Sequence, residues 1–394
     1  MLGNRTQRRT KTERPEKKGL THESQLLSPL LDCAGGLGSA LGSTGHTQEA
    51  QYFNQNVSDS NPLRTEQARE LDEYVKALAA DRSRLATVFQ PDYSSTKSFE
   101  RSAQTLRMKF ADSIGYPPPG ERPQKKTTFT QIGSDSLGNY YRAMIPILPG
   151  VHSEGIYIVP KALNGSAPLM ISMHGGGGSP EAALFNGGSN YHDMVRGAVK
   201  RGYVVYAPQH LFRAEGYPAD IRARIDARMR LVGTSITAVE IAKITYALDV
   251  LEKRPEVDPA RIGMVGLSYG GYYAQVTPAL DRRIKVSVSS CYFGVQEGRY
   301  AKQELSVPGD FRFQNRFTWF RDADLVALIC PRAHQVQAGS RDNASHREMG
   351  KETAPRAAAF YEKLGVSEKF EHIVFEGGHE FDDESAWNFV EKHL

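Results

Sequence analysis

Cysteine is scarce: Cys33, Cys291 and Cys330 are the only three in 394 residues. Their number and scatter exclude a disulfide framework and a thiolate zinc site. No apolar run reaches the ~18 residues that a membrane-spanning helix needs, so no integral membrane segment is expected. A sustained charge of one sign is also missing. The net charge is +4, and Arg5, Arg8, Arg9, Lys11, Arg14, Lys17 and Lys18 outweigh Glu13 and Glu16 by more than that within the first eighteen residues. The rest of the chain is therefore close to neutral, which excludes nucleic acid as a partner on charge grounds. Hydrophobic residues at 40% and charged residues at 24% exclude collagen-like and wholly disordered chains.

The composition changes along the chain. Residues 1–61 run from a basic start into Gly, Ser and Asn with few aromatics, and read as a disordered or targeting-like tail. Pro29 and Asp32 interrupt the one apolar stretch there, which makes a poor secretory signal and favours the cytoplasm over export. Residues 62–125 read as a helical N-terminal extension. Leu71, Val75, Leu78 and Leu85 recur at helical spacing, and a second helical stretch near Phe99–Ile114 stops before Pro117-Pro118-Pro119. Both are expected to pack as a cap on the body rather than to bind a partner.

Residues 126–394 alternate strand and helix patterns. Thr127–Ile132, Tyr140–Ile147 and Gly155–Val159 read as strands, the first two joined by a turn at Ser134–Gly138. The apolar runs Leu169–Met173, Tyr203–Ala207, Ile262–Leu267, Ile284–Ser289, Ala333–Ala338 and His372–Glu376 follow. Amphipathic segments lie around residues 181–200, 235–254, 270–280, 346–364 and 384–393. Alternation at these lengths predicts an α/β fold with a mostly parallel sheet covered by helices on both faces.

Within that pattern, Gly266-Leu267-Ser268-Tyr269-Gly270-Gly271 lies between an apolar strand and a helix. A serine is lifted out of a sheet in that setting, and small residues at 266 and 270 let strand and helix backbones approach. The bland alternative is a tight turn with an incidental serine. A serine needs a base and an orienting acid. Asp342 follows the run Pro331–Gly339, and His379 follows His372–Phe375, so both stand just past the carboxyl ends of strands, where such sheets gather catalytic groups. Asp322 and Asp324 precede their strand, His334 lies inside one, and His346 opens a helix. Asp382 and Asp383 read as caps of the last helix.

An oxyanion needs backbone donors. His174-Gly175-Gly176-Gly177-Gly178 follows a strand and resembles a glycine-rich oxyanion loop, with His174 as its brace. The loop lacks the Gly-Lys-Ser/Thr ending of a phosphate cradle. Arg213, Arg222, Arg224, Arg228 and Arg230 read as a solvated helix face more than as an anion site. Phe293, Tyr300, Phe311, Phe313, Phe317, Trp319 and Phe320 either stack on a sugar ring or pin an insert to the core. Cys291 and Cys330 border strands and read as buried hydrophobes.

The phrases Pro168–Glu181, Arg254–Tyr272, Ala323–Pro331 and Gly339–Asp342 resemble the α/β-hydrolases. More narrowly, they resemble the bacterial dienelactone-hydrolase-like serine esterases of the acetyl xylan esterase type, relatives of the prolyl oligopeptidase catalytic domain. The likeness covers roughly residues 110–394. It implies Ser268 as nucleophile, His379 as base, Asp342 as orienter, and Gly176, Gly177 and Tyr269 as oxyanion donors. It also implies a small-molecule or carbohydrate ester substrate, short-chain acyl groups, and no metal or organic cofactor. The alternatives are a prolyl-oligopeptidase-like serine peptidase, for which the sequence lacks room for a β-propeller before the core, and a non-catalytic ligand-binding module on a hydrolase scaffold. The sequence gives no oligomeric state.

Overall fold

The computed structural model describes residues 61–185, 190–212, 214–294 and 311–394. Four helices come first: α1 (Asn61–Ala80), α2 (Ser83–Ala86), α3 (Thr96–Ser102) and α4 (Gln104–Ile114). Next come β1 (Thr128–Ser134), β2 (Gly138–Leu148), β3 (Val151–Pro160), β4 (Ala167–Met173), α5 (Pro180–Phe185), α6 (Met194–Lys200), β5 (Val204–Pro208), α7 (Ile221–Arg230) and α8 (Ile236–Leu251). The chain continues through β6 (Val257–Leu267), α9 (Tyr269–Leu280), β7 (Ile284–Ser290), α10 (Asp322–Ile329), β8 (Ala333–Gly339), α11 (Ala344–Lys363), β9 (Phe370–Phe375) and α12 (Asp383–His393).

Among the described residues the strands form one nine-stranded sheet in the order β1-β2-β3-β5-β4-β6-β7-β8-β9. β1, β2 and β3 pair antiparallel, as do β3 and β5, and the other pairings are parallel. Each expected apolar run is one of these strands. The continuous hydrophobicity of β4 and β5 follows from burial on both faces, whereas β9, at the end of the sheet, is half-buried. Leu169, Ile171 and Met173 join a core shared with α8, α9 and α10, while Met170 joins a second core shared with α5, α6 and α12. Successive strand residues point to opposite faces, so two helical layers cover one sheet.

The helical segment before the sheet differs in part from the sequence expectation. Phe99, Leu106, Phe110 and Ile114 of α3 and α4 are buried in the first core. Gly115, at φ 70°, ends α4, and Ser235 Oγ, which caps α8, donates to the Ile114 carbonyl at 2.6 Å. By contrast α1 buries Ala79 alone, with Leu71 at 66% and Val75 at 46% exposure. Leu71 and Val75 therefore do not pack on the body, whereas Leu78 is half-buried and Leu85 of α2 packs against the first core. Ion pairs of Arg69 with Glu66, and of Lys76 with Asp72 and Glu73, line its surface.

The segment around 181–200 also departs from a single helix. It is divided between α5 and α6, and His192 (φ 46°) and Asp193 (φ 56°) take left-handed backbone just before α6. Two such residues in succession cannot continue a helix.

Candidate active site

Ser268 stands between β6 and α9 with φ 58° and ψ −111°. The turn is held from both sides: Ser268 N–H donates to the Ser290 carbonyl at 2.8 Å, and Tyr272 N–H donates to the Ser268 carbonyl at 2.9 Å. Crowding explains the flanking glycines. A Cβ at Gly266 would strike the Gly270 carbonyl, and one at Gly270 would strike the carbonyls of Met173 and His174. The sequence therefore reserves these positions for backbone contact and leaves the serine half-buried at the strand end.

Asp342 and His379 arrive from the next strands. Asp342 N–H donates to the Gly339 carbonyl at 3.1 Å in the turn after β8, and Arg341 N–H donates to the Gly377 carbonyl at 2.7 Å. The two strand-end turns are thereby stitched together. His379 Nδ1 lies 2.9 Å from Asp342 Oδ2, and the side chains are 37% and 4% exposed, respectively. Burial works against charge on the imidazole, but the Asp342 carboxylate and the Cys291 thiol beside it outweigh burial and raise the ring to about 10. Ser290 joins the His379 turn to the Ser268 turn: its carbonyl takes the Ser268 N–H, and its hydroxyl donates to the Glu380 carbonyl at 3.0 Å. Among the described residues no hydrogen bond joins Ser268 Oγ to His379. Such contacts commonly tighten only when substrate binds.

The glycine loop lies against the serine, since a Cβ placed on Gly175 would sit 3.5 Å from Ser268 Cβ. Gly175 N–H is taken by Tyr191 OH at 2.9 Å. Gly176 and Gly177 form an exposed turn, with Gly177 at φ 75°. Tyr269 opens α9, so its N–H belongs to the first turn of a helix, where backbone donors lack intrahelical acceptors. These three are the expected oxyanion donors; a Cβ on Gly176 would lie 3.2 Å from the Tyr269 ring, and Tyr269 adjoins the serine in sequence.

His174 braces the loop. Its Nδ1 faces the Gly175 carbonyl at 2.9 Å, and its Nε2 accepts the His210 N–H at 3.3 Å. The two histidine rings stack with centroids 4.0 Å apart. Burial holds His174 down at about 4 and His210 well below the usual histidine range, so both are neutral hydrogen-bonding parts.

Cys291 went unrecognised as a site neighbour. It is buried, as expected of a hydrophobe, yet it follows β7 with φ 54°. Its Sγ, an Asp342 carboxylate oxygen and a His379 ring nitrogen lie within 4.8 Å of one another. The signal was its place at the same sheet edge as Ser268. As a metal centre this trio is poorly suited, because Asp342 and His379 already bond each other and Sγ donates to the Glu380 carbonyl at 3.3 Å.

The arginine run divides. Arg224 is exposed and pairs with Asp220, whereas Arg222 is buried, donates to Tyr273 OH at 2.6 Å, and sits 5.0 Å from the Tyr269 ring centroid. Arg213 lies outside the described residues, as does Tyr300. Phe293, Phe311, Phe313 and Phe320 belong to the main core, which is the pinning role.

Residues 184–308 match the dienelactone hydrolase family, a span that contains Ser268 and ends before Asp342. The fold matches in solved structures as well. One from Bacteroides fragilis NCTC 9343, named as an acetyl xylan esterase, aligns with a TM-score of 0.58 at 16% identity over 73% of this chain and 79% of its own. The chain has the α/β-hydrolase fold. A glucuronoyl esterase from Solibacter usitatus aligns with a TM-score of 0.54 at 15% identity, over 76% of this chain and 94% of the esterase. The Bacillus subtilis (strain 168) protein YtaP, named as a hydrolase, is 27% identical over 236 residues, which is 57% of this chain and 76% of YtaP.

Proposed function

We propose that this chain is a serine esterase that cleaves short-chain carboxylic esters through an acyl-enzyme. The observation that carries the reading is the strained Ser268 turn at one sheet edge with the hydrogen-bonded Asp342–His379 pair. In the acylation step His379 Nε2 takes the Ser268 proton while Oγ attacks the ester carbonyl. Asp342 keeps Nδ1 protonated, which makes Nε2 the basic nitrogen. The N–H groups of Gly176, Gly177 and Tyr269 receive the developing oxyanion. His379 then protonates the leaving alkoxide, and water repeats the sequence to release the acid.

The neighbours named as acetyl xylan and glucuronoyl esterases support an ester of a carbohydrate, with acetyl groups on a polysaccharide as the leading substrate. No metal or organic cofactor enters the reaction as proposed. The test is a series of nitrophenyl esters of rising acyl length. Wild type is expected to prefer acetyl and propionyl esters, and Ser268→Ala to lose at least ~1000-fold in kcat. Full activity in Ser268→Ala, or faster turnover of a peptide than of acetyl esters, would overturn the reading.

A further inference from the structure

Residues Asn190–Asp193 touch both halves of the site. Asn190 Nδ2 donates to the His379 carbonyl at 3.1 Å, and the Asn190 carbonyl accepts the Phe381 N–H at 2.9 Å. Side chain and main chain of one residue thus bracket the base. Tyr191 turns the other way, and its hydroxyl accepts the Gly175 N–H at 2.9 Å. A Cβ at Gly178 would collide with that hydroxyl, so the buried phenol lies directly against the glycine loop. His192 Nε2 then meets Glu380 Oε2 at 2.6 Å, while Glu380 Oε1 accepts the Gly378 N–H at 2.6 Å.

Three consecutive residues therefore reach alternately to the base turn and the oxyanion loop. The left-handed backbone of His192 and Asp193 follows these contacts. L-residues avoid that region unless surrounding contacts hold them there.

From this juxtaposition we infer that Asn190 and Tyr191 are positioning residues for acyl transfer: Tyr191 sets the oxyanion loop through Gly175, and Asn190 sets the base through the His379 carbonyl. The inference rests on the esterase reading above. Neither side chain is assigned a contact with substrate. Because the Tyr191 hydroxyl occupies the Gly175 N–H, it leaves the next two amides of the turn, at Gly176 and Gly177, for the oxyanion.

The test compares Tyr191→Phe and Asn190→Ala with wild type, using nitrophenyl acetate turnover, fluorophosphonate labelling and thermal melting. Tyr191→Phe keeps the buried ring and removes the hydroxyl alone, and Asn190 is exposed, so both variants are expected to fold. The discriminating quantity is kcat per labelled serine, since a merely structural role would change the amount of active enzyme and not the rate at each active site. Each variant is expected to lose about ten- to a hundredfold in that quantity and in labelling rate, with KM within about threefold. Values within about twofold of wild type in both variants would overturn the inference while leaving the esterase reading intact. Absence of Ser268-dependent labelling in wild type would overturn the esterase reading, and this inference with it.

Discussion

At the scale of single residues, the proposed mechanism rests on charge placed beside one imidazole, since in it His379 must be neutral to take the Ser268 proton. Burial disfavours its charged form, yet Asp342 and Cys291 together raise it above the ordinary histidine value. A raised base is protonated at neutral pH and gains its active form as pH rises. The acidic limb of kcat/KM is therefore expected on the alkaline side of ~6.5, the unperturbed histidine value. Asp342→Asn removes the neighbouring carboxylate and should move that limb toward acid while lowering kcat by orders of magnitude. A wild-type limb at or below ~6.5 in a pH–rate profile would contradict this electrostatic account.

At the scale of elements, packing decides which helices matter. Phe110 of α4 is fully buried against Phe313 and Phe320, so Phe110→Ala is expected to cost about 3–5 kcal/mol in denaturant unfolding. Leu71→Glu on exposed α1 should change stability by no more than about 0.5 kcal/mol. Equal effects would show that α1 is held more firmly than its exposure indicates.

The same contrast separates what was legible in the sequence from what was not. The central strands β4 and β5 stand out because a sheet covered on both faces demands unbroken apolar runs. Ser268, Asp342 and His379 stand out because each follows a predicted strand. The α1 stripe misled, since helical spacing records an amphipathic face and not whether anything covers it. Asn190 and Tyr191 have no local signature. Their partners are far away in sequence, as with Asn190 and His379, 189 positions apart, and only the folded sheet edge brings them together.

At the scale of the whole molecule, three buried neutral histidines tie the fold to pH. Burial pushes His174 to about 4, His334 to about 3 and His210 well below its usual range. The unfolded chain holds such groups near ~6.5, so between those values it binds more protons than the folded chain. Stability is then present above ~6.5 and lost as pH falls toward the folded values, by at most about 1.4 kcal/mol per pH unit for each group. Melting temperature is expected to fall on acidification from neutrality, and His334→Gln should flatten that dependence. A melting temperature that rose on acidification would contradict it.

The carboxyl ends of the strands gather Ser268, His379 and the glycine loop from segments spread over some two hundred residues (His174 to His379), and the proposed mechanism rests on that assembly. Intact mass after exposure to a fluorophosphonate probe tests it most directly. One adduct on wild type and none on Ser268→Ala is the expected result. A folded wild-type protein that takes up no probe, or a Ser268→Ala variant labelled as readily as wild type, would contradict the assignment of Ser268 as the activated nucleophile.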